Sequence, residues 1–157
     1  MSLLDTTDIP MKIDGTRRQD RAIELVLAYY AAFNRGDREA MLALLHDEVV
    51  HDLNQGARET GKPAFAAFMQ RMDASYREQL RDIVVLASQD GDRAAAEYVV
   101  HGQYLRDDEG LPPARGQPYV LPGGAFFEID FDEAGGNGRI RRVTNYYNLE
   151  DWLRQVR

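Results

Sequence analysis

The chain has 157 residues, 44% of them hydrophobic, which is enough for one domain around one core. Acidic residues outnumber basic ones by 26 to 19, for a formal charge of −7, and no basic stripe with interleaved aromatics occurs, which argues against a nucleic-acid partner. Cysteine is absent, which excludes disulfides, thiolate nucleophiles and zinc–cysteine sites and fits a reducing compartment.

Residues 1–18 mix polar and apolar positions without periodicity and read as an arm before a single domain over 19–157. They hold no uninterrupted apolar run or small-residue cleavage site of a signal peptide, and no apolar stretch approaches the roughly 20 residues of a membrane span. A cytoplasmic protein without a membrane partner is therefore expected. Ile23, Val26, Leu27, Tyr30 and Phe33 recur at helical spacing, with Asp20 as N-cap and Gly36 as the stop. Asp37 then caps a second helix that carries Met41, Leu44 and Leu45 and runs to about His46. Residues 48–53 read as a strand with Val49, His51 and Leu53 on one line. Lys62-Pro63 opens a third helix whose buried stripe is Phe65, Phe68, Met69, Met72 and Tyr76.

The second half reads as strands over 82–88, 94–104, 119–131 and 139–148, separated by an Asp90-Gly91-Asp92 turn, a Pro- and Gly-rich loop over 107–118, and the turn DEAGGNG. A short helix ends the chain. Helices first and strands afterwards indicate an α+β fold, a curved antiparallel or mixed sheet wrapped around the N-terminal helices.

The segment YYAAFNRGDREAMLALLHDEVVHDLNQG (29–56) orders a helix, a Gly-Asp turn, a short helix and a polar-studded strand. This order resembles the opening of ketosteroid isomerase and the SnoaL-like proteins, and the likeness extends over roughly residues 20–153. HDLNQG, AAAEYVVHGQYL, GLPPARGQPYVLPGGAFFEI and RVTNYYNLEDWL look most like the SnoaL-like branch of that group. The resemblance implies an NTF2-like cone enclosing a deep, hydrophobic pocket. It places Tyr29 at the position of the isomerase's oxyanion tyrosine, Leu53 at that of its general-base aspartate, and Phe127 at that of its protonated aspartic acid. Isomerase chemistry of that kind needs a carboxylate to carry the proton and acidic donors for the enolate oxygen. Leucine and phenylalanine supply neither, so the chain is not a standard ketosteroid isomerase. A slip of one residue in the first strand would turn Asp52 inward and take His51 and Leu53 outward together.

The resemblance also turns the line Ala95, Glu97, Val99, His101 and Gln103 toward the pocket. A carboxylate buried there would have a raised pKa, which makes Glu97 the first candidate for general acid or base. Its alternative is an arginine pair or a dimer contact. His101 lies on the same line about 13 Å further along, so both residues could address one ligand without touching. His51 is the second imidazole candidate, with a hydrogen-bonded core histidine as the plainer reading. His46 is expected to sit at a helix end as a structural cation.

No HxH or HExxH occurs and no metal site is expected; a His51–His101–Glu97 site would need the fold to converge them. GxGxxG, P-loop and GxSxG patterns are absent, and no cofactor is expected. Asn145 and Tyr147 share a strand face with Val143, and by the resemblance Tyr147 replaces a pocket tryptophan; the other parity would turn Tyr146 inward. Leu53, Val99, Phe127, Asn145 and Tyr147 would then form the substrate wall, with Tyr29 steadying an oxyanion.

The expected function is a cofactor-independent enzyme acting on a small, largely apolar molecule by proton transfer next to a carbonyl, isomerase- or cyclase-like. The alternatives are a small-molecule binding module and epoxide-hydrolase-like water addition. A homodimer is expected through Tyr98, Val100 and Tyr104, which the same assignment would leave on the outer face.

Overall fold

A computed structural model of the chain describes residues 10–132 and 137–157, the first eight of them by backbone alone. Helix α1 spans Pro10–Arg35 and α2 Arg38–Ala43; β1 is Leu45–Asp52 and β2 Arg58–Thr60; α3 spans Lys62–Ser75. Strands β3 Tyr76–Ala87, β4 Arg93–Tyr104, β5 Gln117–Phe131 and β6 Gly138–Tyr147 follow, and α4 Leu149–Val156 closes the chain. The strands form one six-stranded sheet in the order β2-β1-β6-β5-β4-β3. All neighbours are antiparallel except β1 and β6, which run parallel. The α+β fold with a mixed, curved sheet is as expected.

Several boundaries differ from the sequence reading. The first helix starts at Pro10, a residue suited to a first turn, so residues 10–18 belong to it and Asp20 lies inside it. Residues 1–9 of the expected arm, and 133–136 of the expected turn, lie outside the described residues. Gly36 ends α1 at φ +73°, where glycine costs nothing, and its N–H donates to the Phe33 carbonyl at 3.0 Å. Helix α2 is shorter than expected because Leu44 is already recruited by the sheet: its carbonyl accepts the Ile140 N–H at 2.9 Å. His46 is consequently a strand residue, not a helix end, and its Nδ1 accepts the Glu48 N–H at 3.0 Å.

Strand β3 starts six residues earlier than expected, directly at Tyr76, where the backbone turns extended with no loop after α3. Its open edge is closed by Asn34 of α1. The Leu80 N–H donates to Asn34 Oδ1 at 2.8 Å, while Asn34 Nδ2 donates to the Leu80 carbonyl at 2.9 Å. The side-chain amide thus stands in for a strand neighbour.

The helices cover one face of the sheet, and pairing registers define interior rows there. These are Tyr76–Tyr104–Gln117, Glu78–Gly102–Tyr119, Leu80–Val100–Leu121, Tyr98–Gly123–Tyr147, Ala96–Ala125–Asn145 and Ala94–Phe127–Val143–His51. Ala94, Ala96, Val100 and Tyr104 are all buried. The phase of β4 is therefore the reverse of the expectation: Tyr98, Val100 and Tyr104 point inward, and Glu97, Val99 and His101 lie on the outer face. No helix among the described residues is long and apolar enough to cross a membrane.

Candidate functional site

The interior of the sheet holds a carboxyl group that the sequence reading passed over. Glu78 sits on the inner line of β3 between Tyr76 and Leu80, crowded on nearly all sides by protein yet retaining some accessible surface. Burial raises its pKa, because the charged form loses solvation; a hydrogen bond from Tyr119 and the positive charge of Arg38 lower it, but by less. Arg38 is itself engaged with Asp73, donating from Nη2 at 2.7 Å.

Four elements aim hydroxyls into this region. Tyr98 of β4 has its pKa pushed up to about 12, first by desolvation and then by the negative charge of Glu78. Tyr119 of β5 and Tyr147 of β6 are raised for the same two reasons, so all three remain neutral donors at physiological pH. Tyr30 of α1 lies edge-on to Tyr98 with ring centroids 5.4 Å apart. The two hydroxyls interact electrically, but the Tyr30 oxygen makes no well-formed hydrogen bond among the described residues.

Two glycines allow the rings to lie against the sheet. A Cβ on Gly123 would lie 2.8 Å from Cε2 of Tyr98, and one on Gly102 would collide with the ring of Tyr119. Trp152 of α4 packs edge-on to Tyr119 at 5.9 Å between centroids.

The candidates read from the sequence divide between the two faces. His51 is on the interior and 1% exposed, which settles the first strand against the one-residue slip. Asp52 takes the outer side, held by Arg58 Nε at 2.6 Å and Thr144 Oγ1 at 2.8 Å, and these bonds, Arg58 first, keep its carboxyl below the usual range. Asn145 meets His51, amide nitrogen to Nε2 at 3.0 Å, and Phe65 stacks on the imidazole at 4.4 Å. With the Asn145 amide nitrogen facing it, Nε2 accepts, and the ring proton sits on Nδ1, which has no partner among the described residues.

Burial lowers the His51 pKa from 6.5 to about 4, so the ring is neutral at pH 7. The unfolded chain takes up this proton near pH 6.5 and the folded chain only near pH 4. Stability from this group is therefore complete above pH 6.5 and is lost as pH falls toward 4, by up to about 3 kcal/mol. Urea unfolding at pH 7 and pH 4.5 should show a smaller acid loss in His51→Asn than in the wild type; an equal loss would place the acid sensitivity elsewhere.

Tyr29 is also inward and buried, edge-on to Phe127 at 6.1 Å, with its pKa raised by desolvation. Phe127 is 1% exposed and forms core wall. Tyr147 and Asn145 share the interior face with Val143, while Tyr146 is outside against Phe126. Leu53 follows the end of β1 in a turn and is half-buried.

Glu97 is exposed on the outer row Val84–Glu97–Gly124–Tyr146, Val99 on the row Arg81–Val99–Pro122, and His101 on the row Gln79–His101–Val120. His51 and the pair Glu97 and His101 thus lie on opposite faces and do not converge on one ligand or metal. The residues missed were Glu78, Tyr98, Tyr119 and Tyr30. The signal for Glu78 was the alternation Tyr76-Arg77-Glu78-Gln79-Leu80, with apolar neighbours two positions away on each side.

The SnoaL-like domain model matches residues 26–143. Two crystal structures named "putative polyketide cyclase" are each 63% identical to the chain. The one from Pseudomonas putida KT2440 has a TM-score of 0.82, with 87% of this chain and 98% of that one covered. The one from Xanthomonas campestris pv. campestris has a TM-score of 0.83, with 89% and 99% covered. A third of that name, from Silicibacter sp. TM1040, is 48% identical over 87% of this chain and 95% of its own, with a TM-score of 0.81. No curated protein matches the chain. A helix-covered curved sheet with a polar, aromatic interior and a family match over most of its length lead to one assignment: the chain belongs to the SnoaL-like family.

Proposed function

We propose that the chain catalyses proton transfer next to a carbonyl of a small, largely apolar molecule, as an isomerase or cyclase, with Glu78 as the proton carrier. The observation that carries this reading is the Glu78 carboxyl itself, set in an aromatic interior with no salt bridge among the described residues. The names of the similar structures support a cyclase-type reaction on a small molecule.

In its ionised form Glu78 takes a proton from the carbon beside the carbonyl, and the electron pair moves onto the carbonyl oxygen. The hydroxyls of Tyr98 and Tyr30 donate to the enolate oxygen, where removing water makes each hydrogen bond count for more. Glu78 then returns its proton to a different carbon, completing an isomerisation. Alternatively the enolate carbon attacks a second carbonyl of the same molecule, and the proton goes to the alkoxide formed, completing a cyclisation. Glu78 replaces Glu97 in this role because Glu97 faces outward.

Incubating the protein with a bacterial metabolite extract in D₂O tests the reaction without knowledge of the product. Deuterium should enter specific compounds at carbon, read as a rise in mass by liquid chromatography–mass spectrometry. A compound retained by the protein with neither deuterium nor rearrangement would show a binding module instead.

We further propose a cytoplasmic homodimer that pairs through the outer sheet face. Val84, Leu86, Val120, Phe126 and Tyr146 are between 47% and 67% exposed there, and a dimer would take these apolar side chains out of water. Light scattering at micromolar concentration should give twice the chain mass, and Phe126→Glu should halve it; a monomeric wild type would refute the dimer.

A further inference from the structure

We propose that Tyr119 is a positioning residue for Glu78: laid across the gap at Gly102 and backed by Trp152, its hydroxyl donates to the Glu78 carboxylate and fixes the direction in which that group faces the substrate. The inference rests on the reading of Glu78 as the proton carrier.

Three adjacent strands each contribute one residue to this row, Glu78 from β3, Gly102 from β4 and Tyr119 from β5. Strands lie about 4.8 Å apart, so the outer two backbones are about 10 Å apart, with the middle strand between them. Tyrosine and glutamate meet across that span only when the ring lies down on the middle strand. Any side chain at position 102 would occupy the space the ring takes. The ring is also held by α4. Trp152 stands at 74° to it, and Trp152 is in turn wedged against Tyr104 at 5.2 Å and Tyr76 at 6.1 Å. A phenol seated on Gly102 and packed edge-on to Trp152 has little rotational freedom left, and that is what orienting a proton carrier requires.

The charged and titratable groups facing Glu78 are Arg38 from α2, Tyr98 from β4, Tyr119 from β5 and Tyr147 from β6. Of these tyrosines, Tyr119 is the one that shares a cross-strand row with Glu78, and its ring and hydroxyl lie over Gly102 between the two. A donor to a carboxylate favours its ionised form, so deleting it has a defined sign.

The test is a carbon-13 NMR titration of the glutamate side-chain carboxyls, with the Glu78 signal assigned by its loss in Glu78→Gln. Tyr119→Phe keeps the ring and removes the hydroxyl, and should raise the Glu78 titration midpoint. Gly102→Ala, which displaces the ring, should move it in the same direction. Tyr76→Phe is the control, since the Tyr76 hydroxyl donates to Asp108 at 2.7 Å and should leave the midpoint in place. An unchanged midpoint in Tyr119→Phe, or an equal shift in Tyr76→Phe, overturns the proposal. Because the titration needs no substrate, its failure is distinct from a failure of the deuterium experiment.

Discussion

Replacing Glu78 by glutamine is expected to lower turnover by roughly 10²–10⁴-fold, the usual contribution of a positioned acid–base group. Glutamine has nearly the same shape and can still accept the Tyr119 hydrogen bond, but it cannot take up a proton and return it. The substitution should not weaken the fold. A carboxyl whose folded pKa is raised costs stability as pH rises from its unfolded pKa through the folded one, because burial disfavours the charged form. The neutral amide removes that cost, and Glu78→Gln should melt at or above the wild-type temperature at neutral pH. The pair of measurements is the rate of deuterium entry and the thermal midpoint. Retention of more than about a tenth of the activity would remove Glu78 from the mechanism. Glu97→Gln, on the outer face, should keep full activity and serves as the matched control.

Trp152→Ala should destabilise the protein by about 3–5 kcal/mol, the range for truncating a large aromatic in a packed site. The side chain is 5% exposed and touches the rings of Tyr76, Tyr104 and Tyr119, so its removal leaves a hole that three neighbours cannot close together. For a chain of this size the loss corresponds to a fall of roughly 6–20 °C in Tm. Trp152 is the only tryptophan, so unfolding must be followed by circular dichroism and not by intrinsic fluorescence. A loss under about 1 kcal/mol would show that α4 is anchored by other contacts. The candidates for those are Gln155, whose side chain bridges the backbone of Val120 at 2.9 Å on both sides, and the Val156 carbonyl, which accepts from Gln117 at 2.9 Å.

The sequence carried the fold because its punctuation is local. Gly36-Asp37, Lys62-Pro63 and Asp90-Gly91-Asp92 each mark a boundary by backbone chemistry alone, and the elements between them emerged in the right order. It concealed Glu78 for an equally local reason. Tyr76 falls in phase with the helical stripe Phe65, Met69 and Met72, so the periodicity ran one step past the end of α3 and took the first residue of β3 with it. Strand β4 failed differently. Both of its lines carry apolar residues, Ala94, Ala96 and Val100 on one and Ala95 and Val99 on the other, so alternation cannot say which line is covered. The polar residues held the answer: Glu97, His101 and Gln103 share one line, as expected for an outer face, and were read as chemistry. For β1, the single aligned polar group His51 was placed correctly because Val49 beside it is unambiguous.

The parallel pairing of β1 with β6 sets a delay during synthesis. His51 leaves the ribosome 94 positions before Asn145, the residue it must meet. At ordinary elongation rates of 5–20 residues per second, that interval is roughly 5–20 s. Until β6 arrives, β1 has only the three-residue ladder of β2 beside it. The antiparallel neighbours β3, β4 and β5 are all complete by Phe131, before Asn145 is made, and close their contacts over shorter loops. The nascent chain therefore assembles from its middle outward, and its first strand joins the sheet last.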